Sequence, residues 1–151
     1  ALPIYSAGDH SRPLSARGQA DASALAGWLA EQKLVPELAL CSTAARTRET
    51  LSLITRNVPT ILSDRLYLAS PGEMLLQVQS TDDAVRTLMM VCHNPGAHAL
   101  LALLAHTYAN DADADRMMLK FPTSACAVLE FDAARWQDIT PESAMLAHLR
   151  Y

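Results

Sequence analysis

The stretch "TLMMVCHNPGAHALLALL", Thr87 to Leu104, constrains this chain more than any other. Its first part is a continuous apolar run ending at His93, and a strand without polar alternation must be covered on both faces. Its second part repeats apolar residues at helical spacing, with Pro95 near the start, where a missing N–H costs little. We read that helix as running through Tyr108. A doubly covered strand passing directly into an apolar helix is the unit of an α/β fold with a largely parallel sheet.

The remaining pattern agrees. A helix is predicted from Ser15, whose hydroxyl suits an N-cap, with Ala22, Leu25, Ala26 and Leu29 recurring along one face. "ELALCS" reads as a buried strand, Thr43–Thr55 as a helix with Leu51 and Ile54 inward, "VPTILS" as a strand and "PGEMLLQVQS" as a short helix. "TSACAVLEF" and "RWQDI" read as a final pair of strands around a turn at Asp132–Arg135, and "NDADADR" as an exposed loop. That loop does not fit a calcium site: the positions that need Gly and Glu hold Arg116 and Pro122.

With 151 residues, half of them hydrophobic and 19% charged, the chain is expected to form a single domain with a real core. Its net charge of −4 gives no general attraction to nucleic acid or to an anionic membrane. An anion site must therefore be a local gathering of arginines. Three cysteines, Cys41, Cys92 and Cys126, without CxxC spacing read as buried thiols of a reducing cytoplasm. No apolar run is long enough to span a bilayer, and no signal peptide is read at the start, although the first residue is Ala.

In open α/β sheets, ligands bind beyond the carboxyl ends of the strands. Two such ends carry distinctive residues: "CSTAARTRET", with Arg46 in the first turn of a helix, and "CHNPG", with His93. A helix N-terminus and an arginine fork both suit phosphate. His98 and His106 read as packing or surface residues, and no histidine, cysteine and carboxylate set has metal-ligand spacing, so neither a metal nor a cofactor is expected. Cys41 is followed by Arg46 and Arg48, and neither spacing is the one by which cysteine-dependent phosphatases close a loop around phosphate.

Taken in order, "DHSRPLSARG", "CSTAARTRET", "LYLAS", "VCHNPG" and "FPTSACAVLEFD" resemble the SixA-type phosphohistidine phosphatases, a short branch of the histidine phosphatase, or phosphoglycerate mutase-like, superfamily. The resemblance runs from Asp9 to about Trp136 and implies a three-layer α/β/α sandwich with a largely parallel central sheet. It also implies a phosphatase that works through a phosphohistidine on the enzyme. By the same resemblance, Arg46 matches the arginine that clamps phosphate, Arg12 an arginine at the pocket's edge, and His93 the second histidine, a donor to the transferring phosphoryl group. Thr43 stands where the family segment usually has proline, and Glu49 where it has glutamine.

The family's nucleophile lies in an Arg-His pair on the first strand, and no such pair occurs in these residues. The expectation is a single histidine phosphatase domain whose first strand and Arg-His motif precede Ala1. The chain is too short between Thr50 and Thr87 for the insertion that carries a leaving-group acid in the mutase branches. This favours protein phosphohistidine over phosphate esters, since an imidazole leaves with less help than an alkoxide. Two alternatives stay open: a small-molecule phosphate ester phosphatase of the same fold, and a phosphate- or phosphopeptide-binding module without a nucleophile. Partners would be a phosphorylated protein or a small phosphorylated molecule, not nucleic acid or membrane.

Overall fold

The computed structural model describes residues 8–151. The chain divides into two compact units, one holding the described residues up to Tyr67 together with Val85–Cys92, the other Leu68–Ala84 with His93–Tyr151.

In the first unit, α1 (Ala16–Glu31) starts where Ser15 Oγ accepts from the Gly18 amide at 3.0 Å, and it buries Ala22, Leu25 and Leu29. β1 (Leu38–Ser42), α2 (Ala45–Ile54), β2 (Thr60–Ser63), a 3-10 turn (Asp64–Leu66) and β3 (Leu88–Val91) follow. The three strands form a parallel sheet in the order β2-β1-β3, with Leu40 opposite both Ile61 and Met90. β1 is therefore central, and it is the strand that reads as almost wholly apolar. Ala39 and Cys41 are fully buried in a core with Leu51, Val58, Met89 and Val91. Glu37 sets the register at the sheet's start, its carboxylate accepting from the Arg86 and Thr87 amides at 2.7 and 3.1 Å.

In the second unit, α3 (Pro71–Gln79) is capped by Ser70, whose Oγ accepts from the Glu73 amide. α4 (Gly96–Leu104), β4 (Ala105–Tyr108), α5 (Asp111–Leu119), β5 (Cys126–Phe131), a 3-10 turn (Trp136–Asp138) and β6 (Ala144–Arg150) complete it. Its sheet runs β4-β6-β5, with β4 parallel and β5 antiparallel to the fully buried β6 residue Leu146 and its neighbours. Leu101, Ala105, Met117, Leu146 and Leu149 form the core, and each buried leucine contributes about 1.5–3 kcal/mol.

Three expected elements are corrected. The helix predicted through Tyr108 stops at Leu104, and Ala105–Tyr108 is a strand. Thr107 and Tyr108 prefer an extended backbone, and β6 supplies the pairing partner. The acidic segment predicted as a loop begins a helix instead. Asn110 caps it by accepting from the Ala112 amide, and Asp111 and Asp113 lie in the first turn, where the helix dipole favours carboxylates. "RWQDI" holds a 3-10 turn, and the partner of β5 is the unpredicted "AMLAHLR". Among the described residues, no helix is long and apolar enough to cross a membrane.

Two glycines give opposite expectations. A Cβ on Gly96 would stand 2.5 Å from the Ala69 carbonyl oxygen and 3.1 Å from Met74 Sδ. Gly96→Ala should therefore destabilise by about 1–3 kcal/mol in a denaturant melt. Gly27, inside α1 with nothing within 4 Å of the added methyl, should gain about 0.5–1 kcal/mol as Gly27→Ala. Equal effects at the two positions would contradict this packing.

Candidate functional site

At the carboxyl end of β1 the backbone turns sharply into α2. Thr47 Oγ1 donates to the Ser42 carbonyl at 2.9 Å, and the Ala44 amide donates to Ser42 Oγ at 3.3 Å, so the turn is tied from both sides. Ala44, at the N-cap, offers no side-chain acceptor to the first turn of α2. Arg46 is in that turn.

The Arg46 guanidinium donates from Nη1 to the Asp9 carbonyl at 2.7 Å and from Nη2 to Asp9 Oδ2 at 3.0 Å. Arg12 Nη2 donates to the other oxygen, Oδ1, at 3.1 Å, and the Tyr67 hydroxyl donates to Oδ2 at 2.6 Å. Two guanidinium groups and a phenol thus converge on one carboxylate. The Tyr67 hydrogen bond, then Arg46 and Arg12, hold the Asp9 carboxyl down at about 2, against an ordinary 3.8. The same bond raises the Tyr67 phenol, whose proton is held by Asp9. Chemically, this is a cluster that stabilises an oxyanion.

Neighbouring contacts hold the cluster in place. Glu49, where the family segment has glutamine, accepts from the Leu14 amide at 3.0 Å and so ties "RPL" to α2. Thr43, where the family segment has proline, donates from Oγ1 to Asp64 Oδ1 at 2.5 Å. His10 Nε2 lies 2.9 Å from the same Thr43 oxygen, and its ring meets the edge of the Tyr67 ring at 4.9 Å between centroids.

The predicted arginines, Arg46 and Arg12, are thus brought together on one anion. His93 belongs to the second unit, where its ring is half-buried and its carbonyl accepts from the Ala97 amide at 2.9 Å as α4 begins. Asn94 holds this loop: its Oδ1 accepts from the His98 amide at 3.2 Å, and its Nδ2 donates to the Phe121 carbonyl at 2.7 Å. The Asn94–Pro95 peptide bond is cis. His98 has a packing role, its Nε2 2.6 Å from the Met117 carbonyl and its ring stacked on Phe121.

Sequence reasoning assigned no role to Asp9, His10, Thr43, Asp64 or Tyr67. Asp9 and Tyr67 lie in quoted motifs, "DHSRPL" and "LYLAS", and that was the available signal. Among the described residues, no group of three or more His, Cys, Asp or Glu could hold a metal. Cys41, Cys92 and Cys126 form no disulfide; burial raises the Cys41 thiol and takes Cys126 to about 11, which disfavours at these two the thiolate a nucleophile needs.

The held charge on Asp9 has a pH signature. A carboxyl lowered in the folded state contributes stability above its unfolded value and loses it as pH falls through the folded one. The stability difference between wild type and Asp9→Asn should be constant above about pH 4 and shrink between there and about pH 2. Denaturant melts across that range check it; a difference unchanged at low pH would show that the carboxylate is not held.

The sequence profile of the histidine phosphatase superfamily (branch 1) matches residues 5–74, the span that contains Asp9, Arg12, Arg46 and Tyr67. The uncharacterised protein Rv1276c of Mycobacterium tuberculosis is 40% identical over 139 residues, 91% of this chain and 87% of that protein. A candidate SixA phosphohistidine phosphatase from Nakamurella multipartitia superposes with a TM-score of 0.84 at 28% identity, over 95% of this chain and 86% of that one. A second candidate SixA, from Agrobacterium tumefaciens, gives 0.76 at 28% identity, over 95% and 85%. The α/β fold agrees with these likenesses, and the chain belongs to the histidine phosphatase superfamily as a SixA-type member.

Proposed function

We propose that this chain is a phosphatase that removes the phosphoryl group from protein phosphohistidine, through a phosphohistidine formed on the enzyme. The observation that carries the reading is the convergence of Arg46, Arg12 and Tyr67 on one carboxylate, an arrangement suited to an oxyanion. Phosphoryl transfer spreads charge over equatorial oxygens, and donors already in place are what lowers its barrier. The Arg46 guanidinium donates twice to Asp9, and a guanidinium fork also suits phosphate. In this reading Arg46 clamps the phosphoryl group, Arg12 guards the edge and His93 donates to it. The resemblance assigns the nucleophile to the histidine of an Arg-His pair, which these 151 residues do not contain.

The substrate class follows from leaving-group chemistry and from the SixA relatives. A phosphorus–nitrogen bond to imidazole breaks with less assistance than one to an alkoxide. The partner is then a phosphorylated protein, and the compartment the cytoplasm. The test is a side-by-side assay of the full-length native protein on a phosphohistidine-bearing protein and on sugar phosphates. The phosphohistidine protein should turn over faster. Faster turnover of the sugar phosphates would overturn the substrate assignment, and binding of both without turnover would leave a binding module.

A further inference from the structure

A second titratable system is built into the same unit and has no part in the reading above. Thr43 Oγ1 is 2.5 Å from Asp64 Oδ1 and 2.9 Å from His10 Nε2. The hydroxyl has one proton, and a carboxylate can only accept, so that proton goes to Asp64. The Thr43 oxygen is then an acceptor toward His10, which sets Nε2 as the protonated ring nitrogen. Nδ1 makes no hydrogen bond among the described residues. An acidic residue orienting a histidine through an intermediate group, with the second ring nitrogen left over, is how proton-transfer histidines are held. The ring is half-buried, rests on Tyr67, and follows directly the residue whose carboxylate holds Arg46.

From this geometry we infer that His10 is a further catalytic residue, the proton donor to the leaving group, and that phosphate monoesters of ordinary alcohols are therefore within the enzyme's reach. The inference rests on the phosphatase reading and deepens it. His10 enters the forward step as an imidazolium, with a proton on each ring nitrogen: the substrate's P–O bond breaks, its electron pair stays on the leaving oxygen, and the Nδ1 proton moves to that oxygen. An alcohol departs, the phosphoryl group passes to the attacking histidine nitrogen, and His10 keeps its Nε2 proton toward Thr43. When water then attacks phosphorus, Nδ1 takes a proton from it, the P–N bond breaks, and orthophosphate leaves.

The test compares leaving groups in the full-length native protein. 4-Nitrophenyl phosphate releases a stable phenolate; glycerol 2-phosphate releases an alkoxide that needs a proton. His10→Gln should lower the ratio of kcat/KM for the alkyl over the aryl ester by about a hundredfold, in the range of general acid catalysis. Thr43→Val, which keeps the branched shape and removes both hydrogen bonds, should lower the same ratio by about tenfold, a smaller part of that effect. Both rates are read on the same folded molecules, so partial unfolding leaves the ratio untouched. An unchanged ratio in His10→Gln would overturn the assignment. So would a wild type that hydrolyses a phosphohistidine-bearing protein but not glycerol 2-phosphate. A wild type inactive on all three substrates would instead bring down the phosphatase reading, and this inference with it.

Discussion

Arg46→Ala is expected to lower kcat/KM by about 10²–10³-fold, or about 3–4 kcal/mol of transition-state stabilisation, the scale for losing one preorganised donor at a developing oxyanion. The side chain is mostly buried, its exposure 21%, and it is placed by two hydrogen bonds to Asp9, so little ordering remains for it to lose when phosphate arrives. Alanine takes away the charge and its geometry together. Arg56→Ala and Arg135→Ala are the matched comparisons. Arg56 is exposed at the end of α2, and Arg135 pairs with Asp138 on the surface, where an ion pair contributes about 0–1 kcal/mol. Both should leave kcat/KM near wild type. Steady-state kinetics on a phosphohistidine-bearing protein makes the comparison, and an Arg46→Ala enzyme with near-normal turnover would remove the clamp from the account.

His93→Ala should separate function from folding. In the proposed reading His93 donates to the phosphoryl group and matters through hydrogen bonding and charge, so its loss should cut turnover by on the order of a hundredfold or more while the melting temperature barely moves. A packing histidine would behave in the opposite way, since a buried group left without its partner costs about 1–3 kcal/mol of stability. His98 supplies the internal contrast. It lies 2.6 Å from the Met117 carbonyl and stacks on Phe121, so His98→Ala should lower stability more than activity per folded molecule. Thermal melts run beside a phosphatase assay read both quantities. A large drop in melting temperature for His93→Ala, with activity per folded molecule intact, would assign it to packing.

The parallel half of the fold was legible because its residues obey local rules. β1 and β3 are continuous apolar runs, α1 has a serine cap and a helical stripe, and α3 has proline at its first turn after Ser70. The second half resisted for identifiable reasons. "AHTY" continues an apolar helix in composition, and only the pairing partner some forty residues later, Ala144–Leu146, decides that it is a strand. "NDADADR" has the composition of a solvated loop, while its charge order suits a helix start, with Asn110 at the cap and arginine near the end. β6 alternates only weakly in polarity and was missed, although it is the central strand of its sheet. At the site, Arg46 and Arg12 were visible through motif order. The group they share was not. Asp9 meets Arg46 across 37 positions and Tyr67 across 58, and His10 meets Thr43 across 33. No spacing rule reaches such distances, because they are set by the sheet bringing loop ends together.

The proposed chemistry is tested most directly by trapping the phosphoryl group in flight. Full-length native protein is mixed in slight excess with a phosphohistidine-bearing protein carrying labelled phosphate, and quenched in alkali over successive times. The account predicts that label appears first on the enzyme, in an alkali-stable and acid-labile bond to a histidine, and then as orthophosphate at a matching rate. Orthophosphate released with no label ever on the enzyme, or no release at all, would contradict it.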